Sequence, residues 1–160
     1  MNLENHRSLV VSKKKENKTF FNRLKKSKIK DLDEVIHHSH TEVFSQINCL
    51  ECANCCKTTS PMLFNPDIER LAKNLKMKIS DFHEKYLRID EDGDYVFQST
   101  PCPFLGEDNY CKVYDDRPKA CREYPHTNRK NMAQILDLTF KNITVCPAVF
   151  RIVEKLKMLI

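Results

Sequence analysis

Apolar side chains recur every three or four residues along much of the chain, a spacing typical of helices with one buried face. One stripe predicts a helix from about residue 31 to 47 that runs directly into a group of cysteines: Leu32, Val35, Ile36, Val43, Phe44 and Ile47. A second helix is predicted after Asn65-Pro66, which supplies an N-cap and a proline at the first helical position. Ser80 is predicted to cap a further short helix. The last stripe follows Cys146-Pro147 and consists of Val149, Ile152, Val153, Leu156 and Ile160.

Short β elements are predicted between these helices. Pro61–Phe64 is a short apolar run, and Tyr95–Phe97 follows the turn residues Glu91–Asp94, as one strand of a small hairpin would. Ile143–Val145 consists of β-branched residues and is also typical of a strand. The pattern therefore predicts a mainly α fold with small β elements (α+β), folded as a compact single domain.

Charge separates the first 30 residues from the rest of the chain. The net charge is +5, but residues 1–30 carry ten Lys or Arg against two Glu, whereas residues 31–160 carry seventeen basic against twenty acidic residues. We therefore expect a basic N-terminal arm over residues 1–30, partly disordered or helical, and a domain over residues 31–160. A basic arm can meet nucleic acid or an acidic protein surface. Because no regular aromatic positions accompany the basic ones, we favour a solvated helix, do not expect nucleic acid, and keep a protein partner open.

The redox state of the cysteines depends on the compartment. No apolar run is long enough to cross a membrane, and the first apolar stretch is too short for a signal peptide. We therefore expect a cytoplasmic protein with reduced thiols, in which eight cysteines indicate metal ligands rather than disulfides. Ordinary hydrolase or kinase chemistry has no support, because no Ser/His/Asp set, P-loop or dinucleotide fingerprint is present.

All eight cysteines are candidate metal ligands. Four form the motif Cys49-x2-Cys52-x2-Cys55-Cys56, and four follow singly at Cys102, Cys111, Cys121 and Cys146. Thiolates two residues apart can turn their sulfurs toward one ion. Because neighbours such as Cys55 and Cys56 are expected to point in different directions, two arrangements remain. In the first, eight thiolates fill two zinc sites or two clusters. In the second, four thiolates hold one centre, and the other four cysteines support it, are redox-active or are simply buried.

The identity of the metal is left open by the spacing. Sulfur ligands suit either zinc or an iron–sulfur cluster such as [4Fe–4S]. His37 and His40 share a face of the predicted helix, but with eight thiols available we favour an ordinary role for these histidines. The domain is therefore expected to be built around a cysteine-rich metal or cluster site.

The order of these motifs resembles one protein family. After Cys49–Cys56 come Cys102-Pro103-Phe104-Leu105, Cys111-Lys112-Val113-Tyr114, Arg117-Pro118, Cys121-Arg122 and Tyr124-Pro125. The series looks like the CxxCxxCC (YkgJ-type) cysteine-cluster family, whose members are described as zinc- or iron-chelating or Fe–S-cluster-containing proteins. The resemblance covers roughly residues 49–150 and implies metal or cluster binding. The flagellin lysine N-methylase carries a similar cysteine pattern, which is one enzymatic precedent.

Three residues beside the later cysteines, Arg117, Arg122 and Tyr114, are predicted to bind the same cofactor. Zinc held by four thiolates carries a net charge of about −2, which the two arginines would offset. The alternative is that they pair with nearby carboxylates, those of Asp115, Asp116 and Glu123. Tyr114 either shields the centre and donates a hydrogen bond to sulfur, or simply packs.

Three functions remain compatible with the sequence. The first is a metal-binding protein that holds zinc or an iron–sulfur cluster in a structural or electron-transfer role. The second is a metal- or cluster-dependent enzyme that modifies a protein side chain, as the resemblance to the flagellin lysine N-methylase implies. The third is an interaction module that uses the basic arm.

Overall fold

The computed structural model describes residues 2–27 and 29–160, and it is mainly helical with one small sheet. Ten α-helices are present in the described residues: α1 (Leu3–Ser12), α2 (Lys14–Lys26), α3 (Leu32–Phe44), α4 (Cys49–Cys52), α5 (Asn54–Thr58), α6 (Asn65–Asn74), α7 (Ile79–Tyr86), α8 (Lys119–Glu123), α9 (Leu136–Val145) and α10 (Pro147–Leu159). The strands are β1 (Met62–Leu63), β2 (Leu87–Ile89) and β3 (Tyr95–Phe97). Two short 3₁₀ helices, Tyr114–Asp116 and Met132–Ile135, complete the set. The predicted fold class, mainly α with small β elements, is confirmed.

The chain divides into two compact units. The helical unit comprises the residues up to Asn48 together with Pro125–Ile160. The cysteine unit comprises Cys49–Tyr124. Among the described residues, no helix combines the length and the apolar character that crossing a membrane requires.

The helical unit is centred on α10, which packs against α3 and α9. Its buried face carries Val149, Ile152 and Val153, all completely buried. The predicted helix after Cys146-Pro147 and the one before the cysteine motif are both confirmed, the latter as Leu32–Phe44. The apolar residues at helical spacing therefore lie on the helix faces that form this core.

The basic N-terminal segment forms two helices of the same unit, α1 and α2. The apolar residues Phe20, Phe21 and Leu24 of α2 are buried in its core, while most of the lysines of α2 are exposed. Met1 and Lys28, which belong to the predicted arm over residues 1–30, lie outside the described residues. The domain boundary after residue 30 stays a prediction.

The predicted strand at Ile143–Val145 is wrong, because these residues form the last turn of α9. Leu136 and Ile143 lie seven residues apart and are both buried in the core of the helical unit. Their helical spacing gives a buried face, and burial of that face outweighs the preference of β-branched residues for strands.

Two helices begin earlier than predicted. Helix α6 starts at Asn65 rather than after it, with Phe64 as its N-cap, because the Asp67 carboxylate accepts a hydrogen bond from the Phe64 backbone N–H at 3.2 Å. Helix α7 starts at Ile79 with Lys78 as N-cap, while the Ser80 hydroxyl donates to the Asp81 carboxylate.

The cysteine unit contains the sheet, which has the antiparallel order β1-β3-β2. The central strand β3 pairs Val96 with Met62 on one side and with Arg88 on the other, so the predicted hairpin strand at Tyr95–Phe97 is confirmed. Aromatic contacts fill the space behind the sheet: the Phe104 ring lies 5.0 Å from the Tyr86 ring and 5.4 Å from the Phe97 ring. Phe104 thereby fixes the chain two residues after Cys102.

One buried carboxylate joins α6 to the segment that carries Cys121. Asp67 is 2% exposed and accepts hydrogen bonds from the Arg70 guanidinium at 2.6 Å and from the Lys119 backbone N–H at 3.0 Å. Arg70 also donates to the backbone carbonyls of Asp116 and Arg117. Burial alone would raise the pKa of Asp67, but these donors hold it below its ordinary value. The position of α8 therefore depends on Asp67 and Arg70.

We expect Asp67→Ala to lower the free energy of unfolding by about 2–4 kcal/mol, because the Phe64 and Lys119 N–H groups and the Arg70 guanidinium all lose their acceptor. Urea denaturation followed by circular dichroism measures the change. Glu69→Ala, at an exposed position of the same helix, is the matched control and should change it by less than about 0.5 kcal/mol. Equal effects of the two substitutions would contradict the anchoring role.

Candidate metal centre

Seven of the eight cysteines lie in the cysteine unit. Cys49 and Cys52 begin and end α4, Cys55 and Cys56 lie on α5, Cys102 and Cys111 lie on irregular segments, and Cys121 lies on α8. The eighth, Cys146, lies in the helical unit as the N-cap of α10. All eight are recorded as thiols, and Cys49 is the exposed one.

A backbone break separates the two cysteine pairs of the CxxCxxCC motif. Ala53, between α4 and α5, has a φ of 46°, in the left-handed region that L-residues rarely adopt. The first helix ends there with a hydrogen bond from the Ala53 N–H to the Cys49 carbonyl at 2.9 Å. The motif is therefore two short helices with different axes rather than one helical face.

The neighbouring thiols Cys55 and Cys56 converge. Their Sγ atoms lie 3.9 Å apart, whereas we had expected neighbouring side chains to point in different directions. Two sulfurs bound to one tetrahedral zinc at about 2.3 Å would be separated by about 3.8 Å. The expectation that these two side chains point apart is wrong. Helix α5 is a single short turn, and its two neighbouring cysteine side chains turn toward each other.

The pKa of Cys56 is lower than those of Cys102 and Cys121. A hydrogen bond from the Cys55 thiol lowers the pKa of Cys56 to about 7; burial opposes this, and its own backbone N–H and the Lys57 ammonium add to the lowering. Burial raises the pKa of Cys102 to about 11 and that of Cys121 to about 12. At neutral pH the metal-free site therefore holds Cys56 partly as thiolate and these two cysteines as thiols.

Four of the thiols interact electrostatically, each with the other three. Negative charge on Cys56 raises the pKa of Cys102, Cys111 and Cys121. Cys111 acts in the same way on Cys102 and Cys121, and Cys102 acts on Cys121. We call this set, Cys56, Cys102, Cys111 and Cys121, the thiol quartet. Cys49 interacts with Cys52 and with Cys56, and thus adjoins the quartet through one member.

Backbone hydrogen bonds hold the segments of the quartet together. The Cys102 N–H donates to the Cys56 carbonyl at 2.8 Å, which joins the second cysteine segment directly to α5. The Lys112 N–H donates to the Phe104 carbonyl at 2.8 Å, and Leu105 and Cys111 form an isolated β-bridge. Cys102 and Cys111 are therefore set by a small closed loop rather than by a regular element.

Gly106 and Asn109 shape that loop, and both were missed from the sequence. A Cβ on Gly106 would lie 2.5 Å from a carboxylate oxygen of Asp108 and 3.1 Å from the Tyr110 carbonyl, so any other residue there would displace the Asp108 side chain and press on the backbone of Tyr110. The Asn109 side chain donates to the Glu51 carbonyl and ties the loop to α4. The signal was present, since Gly106 is one of only two glycines and stands before Asp108-Asn109.

The ligand set is not fixed by side-chain positions alone. Within residues 2–27 and 29–160, no three His, Cys, Asp or Glu side chains already stand where they could hold a single ion. The quartet is thus a neighbourhood of thiols, defined by mutual electrostatic interaction and by backbone contacts. Rotation of the thiol side chains about χ1 is what would complete a tetrahedral arrangement.

Arg117 is the cation that acts on two members of the quartet, Cys111 and Cys121. Lys57 acts in the same way on a third member, Cys56. Burial raises the pKa of Cys111 and Cys121, and the positive charge of Arg117 opposes that increase. Its guanidinium lies over the Tyr114 ring, 3.8 Å from the centroid, and donates to the Tyr114 carbonyl. The ring of Tyr114 thus positions Arg117.

Arg122 acts on the backbone, since its guanidinium donates to the Arg117 carbonyl at 2.6 Å. The carboxylates considered as alternative partners of the arginines contact other residues: Asp116 contacts Arg70, and Glu123 contacts Lys119. Arg122 therefore supports the segment that carries Arg117.

The histidines of α3 lie in the helical unit. A ring nitrogen of His37 contacts the Arg129 carbonyl at 2.8 Å, and His40 Nδ1 contacts the Thr127 hydroxyl at 2.7 Å. Burial, followed by the charge of His37, lowers the pKa of His40. These contacts fasten α3 to the segment after Pro125.

Comparison with known proteins gives one match. The model of the CxxCxxCC family, described as "Putative zinc- or iron-chelating domain", matches residues 48–141. The matched residues include the seven cysteines of the cysteine unit, and Cys146 lies beyond them. No curated protein and no solved structure matches the chain significantly.

We expect Arg117→Gln to weaken metal binding by about three- to tenfold, because a partly exposed charge near thiolates contributes about 1 kcal/mol. Competition with a chromophoric chelator measures the affinity. Arg117→Lys should retain most of it, and Arg122→Gln should change it by less than about twofold. Equal losses in Arg117→Gln and Arg122→Gln would show that charge near the quartet is not the cause.

Proposed function

The chain belongs to the CxxCxxCC family of zinc- or iron-chelating domains, and we propose that its cysteine unit holds one metal centre through the thiol quartet Cys56, Cys102, Cys111 and Cys121. The observation that carries the proposal is geometric: the Cys102 N–H donates to the Cys56 carbonyl at 2.8 Å, and the Leu105–Cys111 bridge closes the loop between Cys102 and Cys111. The effect of each charged thiol on the pKa of the others, Cys121 included, supports the same set. Four thiolates are the donor set of structural zinc sites and of iron–sulfur clusters. The residues present therefore fit the metal that the family implies.

The other thiols support this centre in the proposal. Cys55 donates its hydrogen bond to the Cys56 sulfur, and Cys49 and Cys52 extend the site along α4. Thiols next to a ligand sulfur tune its basicity and its exposure to solvent. Of the two arrangements left open by the sequence, one centre with supporting thiols is the one we propose.

A structural role follows from the scaffold around the quartet. The strands of the cysteine unit contain two or three residues each, and the helices that bear its cysteines contain four or five. Such elements are marginal by themselves. A centre bound to α5, to the Cys102–Cys111 loop and to α8 would cross-link these segments, and its binding energy would contribute to folding. Bound zinc would supply that cross-link alone; a bound cluster would also supply one-electron chemistry.

Metal analysis of the full chain tests the proposal. The protein is purified without oxygen, and zinc, iron and acid-labile sulfide are measured together with visible absorption. We expect either about one zinc in colourless protein or about four irons and four sulfides in brown protein. Fully folded protein that contains neither metal, and that takes up neither on reconstitution, would overturn the proposal.

Removal of the metal with a chelator tests whether a bound metal also stabilises the fold. Removing the metal with a chelator should lower the unfolding temperature, and restoring the same metal should restore it. The same treatment of a sample kept saturated with metal is the control for damage by the chelator. An unfolding temperature independent of metal content would leave a bound metal without a structural role and would contradict this part of the proposal.

Single Cys→Ser substitutions test the quartet. Loss of a side chain that contacts a ligand, without binding the metal itself, typically weakens metal binding by about 10- to 100-fold. We expect Cys102→Ser and Cys121→Ser each to weaken it by more than that, because each removes a ligand. Cys146→Ser, at the N-cap of α10, tests the thiol of the helical unit in the same way. Because Cys146 is outside the quartet, this variant should retain its metal and lose at most the affinity typical of a side chain that does not bind the metal itself. Loss of metal in Cys146→Ser, or normal affinity in Cys121→Ser, would show that the ligand set is different.

A further inference from the structure

The helical unit contains a cleft that the metal centre does not use. It is bounded by α1, α2 and α9 and encloses about 370 Å³. The apolar residues of its wall are Val10, Val11, Phe140 and Ile143. Small-molecule sites in proteins have volumes from about 300 Å³ upward and mostly apolar walls with a few polar groups. The cleft has the size and the wall of a site for a small ligand.

A buried amide lies in the wall of this cleft. Asn17 is 1% exposed, and no hydrogen-bond partner is recorded for its Oδ1 within the described residues. A buried acceptor without a donor costs about 1–3 kcal/mol. Asn17 lines the cleft although its Oδ1 is itself covered. A rotation of the amide about χ2 that turned Oδ1 toward the cleft would let a ligand N–H or O–H group bond to it and recover that energy. The ligand should therefore carry a hydrogen-bond donor on its apolar part.

Two lysines give the cleft a positive charge. Lys14 and Lys141 both line it and are both exposed, and no acidic residue is found among the lining residues that the structure describes. No ion pair is recorded for either lysine in the described parts of the chain. A carboxylate at the mouth of the cleft would meet two cations without displacing an existing partner.

A second cleft of the helical unit differs in this respect. It lies between α2 and α10 and is lined by Glu16, Arg23 and Lys157. There Lys157 pairs with Glu16, and Arg23 donates to the carbonyl of Ile160. Lys15 also lines this cleft and has no ion pair within the described residues, but Glu16 adds a carboxylate to the lining, and no buried side chain without a hydrogen-bond partner lines it. A buried orphan acceptor occurs together with two cations and no carboxylate among the described lining residues of the α1–α2–α9 cleft.

We propose that the α1–α2–α9 cleft binds a small aromatic carboxylate whose ring carries an N–H or O–H donor. The ring packs against Val10, Phe140 and Ile143, its donor bonds to Asn17 Oδ1, and its carboxylate lies between Lys14 and Lys141. An aromatic body suits a wall that includes the Phe140 ring, which itself packs edge-on against Phe21. This site is independent of the proposed metal function.

Indole-3-propionate and its 1-methyl analogue are probes for the donor, since the analogue replaces the ring N–H with N–CH3 and keeps the carboxylate. Comparing both probes on Asn17→Leu separates the loss of the hydrogen bond from the bulk of the methyl group. Binding to the full-length protein is measured by isothermal titration calorimetry, supported by ligand-observed NMR. We expect the N–H probe to bind about three- to tenfold more tightly than the methylated one, as one hydrogen bond to a buried acceptor allows. Equal affinities, or binding of neither probe at millimolar concentration, would overturn the proposal.

Two sets of variants locate the site. Asn17→Leu keeps the volume of the side chain and removes the acceptor, so the preference for the N–H probe should disappear. Lys14→Gln/Lys141→Gln changes only exposed residues, so it retains the fold, and it should weaken both probes by about three- to tenfold while the N–H preference remains. Lys73→Gln/Lys85→Gln, at exposed positions on α6 and α7, is the charge-matched control and should change neither affinity. A persistent N–H preference in folded Asn17→Leu, or unchanged affinities in the lysine variant, would show that the probes bind elsewhere.

Discussion

Thiolates that share one small volume repel one another, and the cysteine unit is arranged around that repulsion. Each member of the thiol quartet acts unfavourably on the ionisation of the others, and burial adds to this effect at Cys102 and Cys121. Without a cation the stable state is mostly protonated. A metal ion reverses the balance, because it favours four thiolates at once and displaces their protons. The same proximity that opposes ionisation is therefore what makes the set a strong soft-metal donor.

The scaffold fixes backbones rather than sulfurs. The hydrogen bond between Cys102 and Cys56, the Leu105–Cys111 bridge and the Asp67–Lys119 contact join segments that are far apart in the sequence. Charges act over longer distances than a metal–sulfur bond, so thiols can interact in every pairing while no three of the described ligand-type residues stand in a metal-holding arrangement. Each backbone contact reduces the entropy that ordering the ligands costs. Arg117, positioned on the Tyr114 ring, contributes part of the compensating charge.

Much of this arrangement could be predicted from local patterns. The helix at Leu32–Phe44 and the hairpin strand at Tyr95–Phe97 follow from apolar periodicity, and the cysteine motif indicated the chemistry. The strand predicted at Ile143–Val145 is wrong, because burial of one helical face, not β-branching, decides the conformation of these residues. The convergence of Cys55 and Cys56 could not be predicted, since it depends on the left-handed backbone at Ala53 and the short helix that follows. Asp67 was missed because its partner Lys119 is 52 residues away, and sequence patterns report only local spacing.

The two units carry different chemistry, and the extent of the family match helps to separate them. It covers residues 48–141, and so contains the thiol quartet together with Phe140 and Lys141, whereas Val10, Lys14 and Asn17 precede it. The α1–α2–α9 cleft thus needs residues that the cysteine-chelating region does not include. A function confined to metal chelation would give no reason for a buried acceptor without a donor on that cleft, because Asn17 contributes nothing to the quartet. Replacing it with an apolar residue of similar size would remove the desolvation cost. A bound ligand that donates a hydrogen bond to this polar group would explain why the protein keeps it despite its cost. This is the physical reason to propose a binding function for the helical unit.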